Sequence, residues 1–262
     1  MKDFYEKHYG VSVHNARNKI AIKLLSSLLK QRPTHPLSIL DIGCGDMSSI
    51  SQIVAGMQAA GLGQEGEFQL HGWDCSRSAV VEAGRKGLQA EVKDIASSEG
   101  VPPGAEQYNV IFFLEVLEHL VDTDTAMKNI HALLKSDGLL VMSTPNLAAW
   151  YNRLLLFMGC QPHGTEVSVA PYRFGCQFLS RCMGEKPGET EIAAGHLRVF
   201  TWRALREFLD YHAFEIVTAR GVANHSRDIL GRILCRISTS LSGDIILIAR
   251  RKDAHKLSTA QR

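Results

Sequence analysis

Residues 37–46 read Leu37-Ser38-Ile39-Leu40-Asp41-Ile42-Gly43-Cys44-Gly45-Asp46, and this stretch decides the fold. A short apolar run closed by two glycines is the pattern of a buried strand that turns sharply into a helix. Glycine at such a turn permits close backbone approach to a ligand and leaves amide N–H groups exposed at a helix N-terminus. On the N-terminal side, Ile20, Leu24 and Leu28 recur at helical spacing between His14 and Lys30, and Pro33 and Pro36 stop that helix. On the other side a helix runs to about Ala60, and the Gly-rich connector Gly61–Gly66 leads to a second strand, Phe68–Trp73.

The alternation continues along the chain. A helix over Arg77–Lys86, a short strand Ala90–Val92 and the apolar run Tyr108–Leu114 follow, the last reading as a central strand buried on both faces. Asp122–Lys135 is predicted helical, closed by Gly138, with Leu139–Ser143 the next strand. Thr201 caps a helix striped by Leu205, Phe208 and Leu209, and Phe214–Thr218 and Asp244–Ala249 complete the strands. Strands alternating with helices predict an α/β fold: a doubly wound, mainly parallel seven-stranded sheet in which the final strand can run antiparallel. Residues 1–36 form an N-terminal lid and helix, and 37–262 the main domain. Residues 146–196, with the apolar helix Leu147–Met158, form a cap insertion after strand five; an irregular stretch of this length in a compact domain is usually functional.

The 262 residues carry 29 Lys and Arg against 27 Asp and Glu, a net charge of +2, with 45% hydrophobic and 21% charged residues. These proportions exclude a disordered chain, a collagen and a coiled coil. The small net charge supplies no global pull toward nucleic acid or acidic membranes. No apolar run reaches the roughly 18 residues a spanning helix needs, and Met1–Lys7 lacks the apolar stretch of a signal peptide. Six scattered cysteines (44, 75, 160, 176, 182 and 235) form no CxxC pair, which predicts reduced thiols and a cytoplasmic address.

In such a sheet a ligand binds beyond the carboxyl ends of the strands. Acidic residues fall at three successive ends: Asp41 beside Gly43 and Gly45, Asp74 after Gly72-Trp73, and Asp94 before Ile95. A carboxylate in the second position accepts ribose hydroxyls, and one in the third accepts from an adenine amino group beside an apolar ring contact. The ordered set DIGCG (41–45), GWDCS (72–76), KDIA (93–96), EVLEHL (115–120), GLLVMSTPN (138–146) and GHLRVFT (195–201) resembles the class I S-adenosylmethionine-dependent methyltransferases, within the group carrying EVLEH and STPN.

The resemblance covers residues 37–145 and 195–250. It implies S-adenosylmethionine as cofactor, with Asp41, Gly43, Cys44 and Gly45 at its methionine part. It places Asp74 and Cys75 at the ribose, Asp94 and Ile95 at the adenine, and Leu114 and Glu115 beneath the sulfonium. Met47 departs from the family pattern, standing where a third glycine is usual.

Methyl transfer is an in-line displacement that chiefly needs alignment, although a hydroxyl nucleophile gains from a base. His119 and His196 are the candidate catalytic residues, because both sit in motifs near strand ends; a structural role for each stays open. Tyr5, His8 and Tyr9 are read as a lid, and Arg17 as a partner for the cofactor carboxylate or else part of a solvated helix face. Trp150, Tyr151, Arg153, Tyr172 and Arg173 are expected to meet the substrate. In 227–241, Ile229, Ile233 and Ile237 share one helix face flanked by Arg227, Arg232 and Arg236; such a helix suits a peripheral membrane or lipid contact, packing on the fold, or a homodimer.

The favoured function is O-methylation of a small-molecule acceptor, a glycan, quinone or lipid-linked intermediate, using no protein-bound metal. The alternative is a small-RNA 3′-end 2′-O-methyltransferase whose metal quartet Glu115, Glu118, His119 and His196 resemble. The absence of a basic face with interleaved aromatics counts against nucleic acid. A non-catalytic cofactor-binding scaffold is the third class, and three intact strand-end acids count against it.

Overall fold

The structure, a computed structural model, describes residues 15–30, 36–64, 66–102, 105–168, 174–175, 195–223 and 229–252. Its elements are α1 (Asn15–Leu29), β1 (Leu37–Ile42), α2 (Ser48–Ala59), β2 (Phe68–Asp74), α3 (Arg77–Arg85), β3 (Ala90–Val92) and β4 (Tyr108–Leu114). There follow α4 (Thr123–Leu133), β5 (Leu134–Pro145), α5 (Trp150–Phe157), α6 (Trp202–Tyr211), β6 (Phe214–Val222), α7 (Ile229–Ile237) and β7 (Asp244–Arg251).

One seven-stranded sheet has the order β3-β2-β1-β4-β5-β7-β6. Pairings from β3 through β5 are parallel, and β7 runs antiparallel to both β5 and β6. The expected doubly wound α/β fold with a reversed final strand is what the chain forms. β1 is buried along its whole length, and β4 buries Val110, Ile111, Phe112 and Phe113. Alternate residues feed two cores: Ile39 and Phe112 lie with α1 and α2, while Leu40 and Phe113 lie with α4 and α6. Strand order reverses between β1 and β4, so a crevice opens beyond Ile42 and Leu114.

Local chemistry fixes several boundaries. Ser76, Asp122 and Thr201 each accept a backbone N–H in the first turn of α3, α4 and α6, as N-caps do. The buried face of α1 is Ala21, Leu24, Leu25 and Leu29, with Ile20 and Leu28 at its margins. Gly138 does not close α4. The helix ends at Leu133, and Gly138 lies inside β5, where an added Cβ would stand 2.9 Å from the Tyr108 carbonyl oxygen. The periodic pattern ran on because Leu133 and Leu134 are buried in helix and strand alike. The helix expected at Leu147 starts at Trp150, because Leu147 first donates its N–H to the Phe200 carbonyl. The segment 227–241 is likewise shorter as a helix: α7 ends at Ile237 and a single 3₁₀ turn, Thr239–Leu241, follows. Tyr5, His8, Tyr9, Tyr172, Arg173, Arg227 and residues 253–262 lie outside the described residues.

Where β1 and β2 end, packing leaves no room for a side chain. A Cβ on Gly72 would lie 2.7 Å from Cys44 Sγ and 2.9 Å from Met47 Sδ, while one on Gly84 of α3 would meet nothing within 4 Å. Gly72→Ala is therefore expected to lower stability by about 1–3 kcal/mol through overpacking. Gly84→Ala should raise it by about 0.5–1 kcal/mol through helix propensity. Urea denaturation of both variants checks the contrast; equal midpoints would show that the two sulfur atoms yield freely.

Candidate functional site

The loop after β1 is built from backbone and sulfur. Gly43 has φ +73°, and a Cβ there would stand 2.4 Å from Val116 Cγ2, so glycine is required twice over. Cys44 turns its thiol into the core toward Gly72, and burial pushes its pKa up. Met47 is buried at φ 60°, the left-handed conformation the missing third glycine would adopt freely. The loop keeps the glycine geometry without the glycine.

The amides of this turn are already spent. Gly43 and Cys44 both donate to the Trp73 carbonyl, at 2.7 and 3.2 Å, and Gly45 donates to Asp74 Oδ2 at 2.9 Å. Ser48 N donates to Asp46 Oδ1, and Lys86 holds the other oxygen of that carboxylate. The expected row of exposed N–H groups is therefore absent at residues 43–45, since β2 lies close enough to accept from them. Such a loop has little to offer a phosphate, which is recognised through free amides. It offers close approach and negative charge instead.

Asp41 is buried beside Asp74, and burial with that neighbouring charge pushes its carboxyl up to about 8. Asp74 Oδ1 accepts from Ser76 N at 2.8 Å, so backbone groups orient both of its oxygens, and Cys75 lies half-buried between these two residues. At the end of β3, Asp94 is exposed and accepts from Ala96 N. Ile95 is buried in the core with Phe113 and Ala126, and its carbonyl accepts from Asn129 Nδ2 at 2.8 Å. The three strand-end acids thus occupy adjacent strands at one rim, as their spacing predicted.

Beyond β4 the site is denser than the sequence indicated. Leu114 is half-buried, and Glu115 adopts φ 56°, a conformation costly for a residue with a side chain. The Glu115 carboxylate accepts from Ser143 Oγ at 2.7 Å and pairs with Arg17 at 2.5 Å. Arg17 is buried and also lies 3.9 Å from Asp244, whose carboxyl is lifted to about 7 by burial and then by Glu115. The exposed-face reading of Arg17 is corrected: it is the buried counter-ion of two acids. Asp244 was missed because only the antiparallel pairing Pro145↔Asp244 brings it to this rim. Ser143 and Thr144 stood in the STPN motif, which was the available signal.

The two candidate histidines meet. Their ring centroids are 4.9 Å apart, His119 Nδ1 lies 3.3 Å from the Gly195 carbonyl, and His196 Nδ1 lies 2.8 Å from the Gly164 carbonyl. A carbonyl can only accept, so each ring carries its hydrogen on Nδ1 and, when neutral, presents a lone pair on Nε2. Burial, then the neighbouring His196, lowers the pKa of His119. Beneath them Glu118 is fully buried; Thr144 donates to Oε2, and Oε1 has no hydrogen-bond partner. Burial, and then Glu115, raises its pKa well above the ordinary value. One ligand atom each from Glu118, His119 and His196 lie within 4.8 Å of one another. Glu115, the fourth residue of the quartet, is turned to Arg17 instead.

Of the expected substrate residues, Trp150 and Tyr151 stack edge-on at 5.8 Å, and Tyr151 meets His163 at 6.1 Å. Arg153 is exposed and donates to the Ala148 and Ser240 carbonyls, so it ties α5 to the turn after α7.

A family model described as a methyltransferase domain matches residues 13–219. Among curated proteins, the ubiquinone biosynthesis O-methyltransferase of Ruegeria pomeroyi is 31% identical over 122 residues, 44% of each chain. The protein of that name from Brucella anthropi is 25% identical over 189 residues, 70% of this chain and 68% of the relative. This chain's match spans about half the length of most of these relatives. In fold, the chain is similar to the magnesium protoporphyrin IX methyltransferase of Synechocystis solved with SAH (TM-score 0.54, 16% identity, 96% of this chain and 98% of that one). It is also similar to an S-adenosylmethionine-dependent methyltransferase from Clostridium acetobutylicum (TM-score 0.56, 12% identity, 96% and 97%). Matched over most of its length to the methyltransferase domain family, and built on the same doubly wound sheet as these solved methyltransferases, the chain belongs to the class I S-adenosylmethionine-dependent methyltransferases.

Proposed function

We propose that the protein transfers the methyl group of S-adenosylmethionine to a hydroxyl oxygen of a small-molecule acceptor. A glycan, a quinone or a lipid-linked intermediate would serve, and the names of the curated relatives favour the quinone. The observation that carries this reading is the meeting of the His119 and His196 rings beyond the end of β4, each with its Nδ1 against a backbone carbonyl, on the same rim as the strand-end acids. In this reading Asp41, Gly43, Cys44 and Gly45 receive the methionine part, Asp74 and Cys75 the ribose, Asp94 and Ile95 the adenine. Leu114 and Glu115 form the floor under the sulfur. A positive sulfonium suits a rim that carries Asp41 beside Asp74 and, around the buried guanidinium of Arg17, Glu115, Glu118 and Asp244.

The acceptor hydroxyl gives its proton to a histidine Nε2 while its oxygen attacks the methyl carbon. The carbon–sulfur bond breaks on the opposite side, and the bonding pair stays on sulfur, leaving S-adenosylhomocysteine. Alignment supplies most of the rate, and the base supplies a smaller factor. Trp150, Tyr151 and His163 offer an aromatic wall for the acceptor beside this position.

A second reading is favoured by the cluster of Glu118, His119 and His196. A buried carboxylate oxygen without a partner beside two imidazole lone pairs is a donor set suited to a divalent cation. An ion there would grip the vicinal hydroxyls of a catechol-type acceptor, or of a terminal ribose in the small-RNA alternative, and lower the pKa of the attacking oxygen.

Asp74→Ala should weaken S-adenosylmethionine binding by at least about tenfold, since it removes charge-assisted bonds to two hydroxyls. His196→Ala should instead lower turnover by about a hundredfold with little change in cofactor affinity. Calorimetry and single-turnover assays separate the two; the reverse pattern overturns the assignment.

The pH dependence of binding has a definite sign. Asp41 carries its proton below about 8, and a cofactor ammonium or sulfonium prefers the ionised form. Binding should therefore release a proton at neutral pH. Affinity should climb by up to about tenfold per pH unit below that value and level off above it. An affinity that is flat between about pH 6 and 9 would remove Asp41 from the cofactor contacts.

Chelation decides between the readings. If the cation reading holds, EDTA abolishes methylation, magnesium or manganese restores it, and Glu118→Gln loses the response to metal. Full activity in EDTA leaves the histidine-base reading.

A further inference from the structure

Helix α7 is inside out. Its small residues face the protein: Gly231 is buried, and Cys235 packs so closely on β6 that a Cβ added to Gly221 would lie 3.0 Å from the Cys235 Cβ and 2.5 Å from the Ser242 Cβ. Its large aliphatic residues face solvent, with Ile229 71% exposed, Ile237 72%, and Leu230 and Ile233 about half. At 100° per residue, Ile229, Ile233, Ile237 and Leu230 fill one continuous arc, and the exposed Arg232 and Arg236 line its edge. The helix contains no acidic residue.

A helix that only covered β6 would bury these isoleucines, since taking apolar surface out of water stabilises the fold. Packing on small residues instead brings the helix backbone close to the sheet and holds the isoleucines out. β6 runs parallel to β5, so α7 and α5 both leave the rim where the strand-end acids lie. The Arg153–Ser240 bond links the two elements. α5 adds a second set of exposed apolar side chains, Leu154, Leu156, Met158 and Phe157, the last 90% exposed.

We infer that α7 docks on an anionic lipid surface, its isoleucine arc entering the acyl boundary and Arg232 and Arg236 resting at the phosphate level, with the cofactor rim turned toward the bilayer. The charge pattern chooses this occupant over a purely apolar one. Arginines bordering an aliphatic face complement lipid phosphates, whereas a second copy of the chain would set like charges on like across a two-fold contact. The inference does not rest on the identity of the acceptor. It does explain how an apolar, lipid-borne acceptor would reach the site without crossing water.

The test is co-sedimentation of the whole protein with vesicles of phosphatidylcholine, with and without phosphatidylglycerol, at low and high salt. Partition should require phosphatidylglycerol and fall with salt. Arg232→Gln and Arg236→Gln should each weaken it by roughly fivefold, and Ile233→Glu with Ile237→Glu should abolish it. All these variants should keep wild-type S-adenosylmethionine binding by calorimetry, which separates lipid docking from failure of the cofactor site or of the fold. Three results would overturn the inference. These are no partition of the wild type on either vesicle, unchanged partition of the isoleucine variants, or a solution dimer in analytical ultracentrifugation that those variants dissolve.

Discussion

The hydrogen bond from Gly45 N to Asp74 Oδ2 is the constraint on which the site depends. It ties the loop after β1 to the end of β2, and it forms only because Gly72 lets Cys44 and Met47 pack against the strand. The Trp73 carbonyl, accepting from both Gly43 and Cys44, closes the same joint. With its amides spent, the loop has shape and the charge of the carboxylates it fixes to offer a ligand. That distinguishes it from the phosphate-binding turns that share the Gly-x-Gly pattern. Met47 held at φ 60° shows that tertiary packing sustains the turn where the usual glycine is missing.

The other half of the site depends on the reversed strand. β7 lies between β5 and β6, and its first residue, Asp244, pairs with Pro145 at the rim. This places Asp244 and Glu115 around Arg17, which arrives from α1. Nearby, Leu197 and Arg198 donate backbone N–H groups to the Glu118 carbonyl, which sets His196 against His119. Three clustered acids, one of them fully buried, with one buried guanidinium are costly to keep ionised, and the raised values of Glu118 and Asp244 express that cost. In the proposed function a bound cation, whether a sulfonium or a metal ion, would relieve it.

Much of this was legible in the chain itself. β1, β3 and β4 follow the sequence reading residue for residue, because each is an apolar or β-prone run cut by turn residues. The strand-end acids were found for the same reason: in a parallel sheet, position in sequence fixes position at the rim. The reading failed where one pattern serves two structures. Leu133–Gly138 suited a helix end as well as a strand entry, and Arg17 suited a solvated face as well as a buried pair. Asp244 gave no sign of its role, since its partner lies far away in the chain, and Ser143 and Thr144 were marked only by the STPN motif, not by the distant acids they bond.

The sequence by itself determined the doubly wound sheet and the acids at three strand ends, because periodicity and turn chemistry are local properties. Only the tertiary structure decided that the loop amides are satisfied by β2 and that Glu115 pairs with Arg17 while Glu118 and the two histidines form a separate cluster. It also decided that the aliphatic face of α7 looks outward. Each of those outcomes is set by which surfaces meet across the sheet, and burial, the quantity that fixes both the charges and the exposed face, is a property of neighbours that no single segment contains.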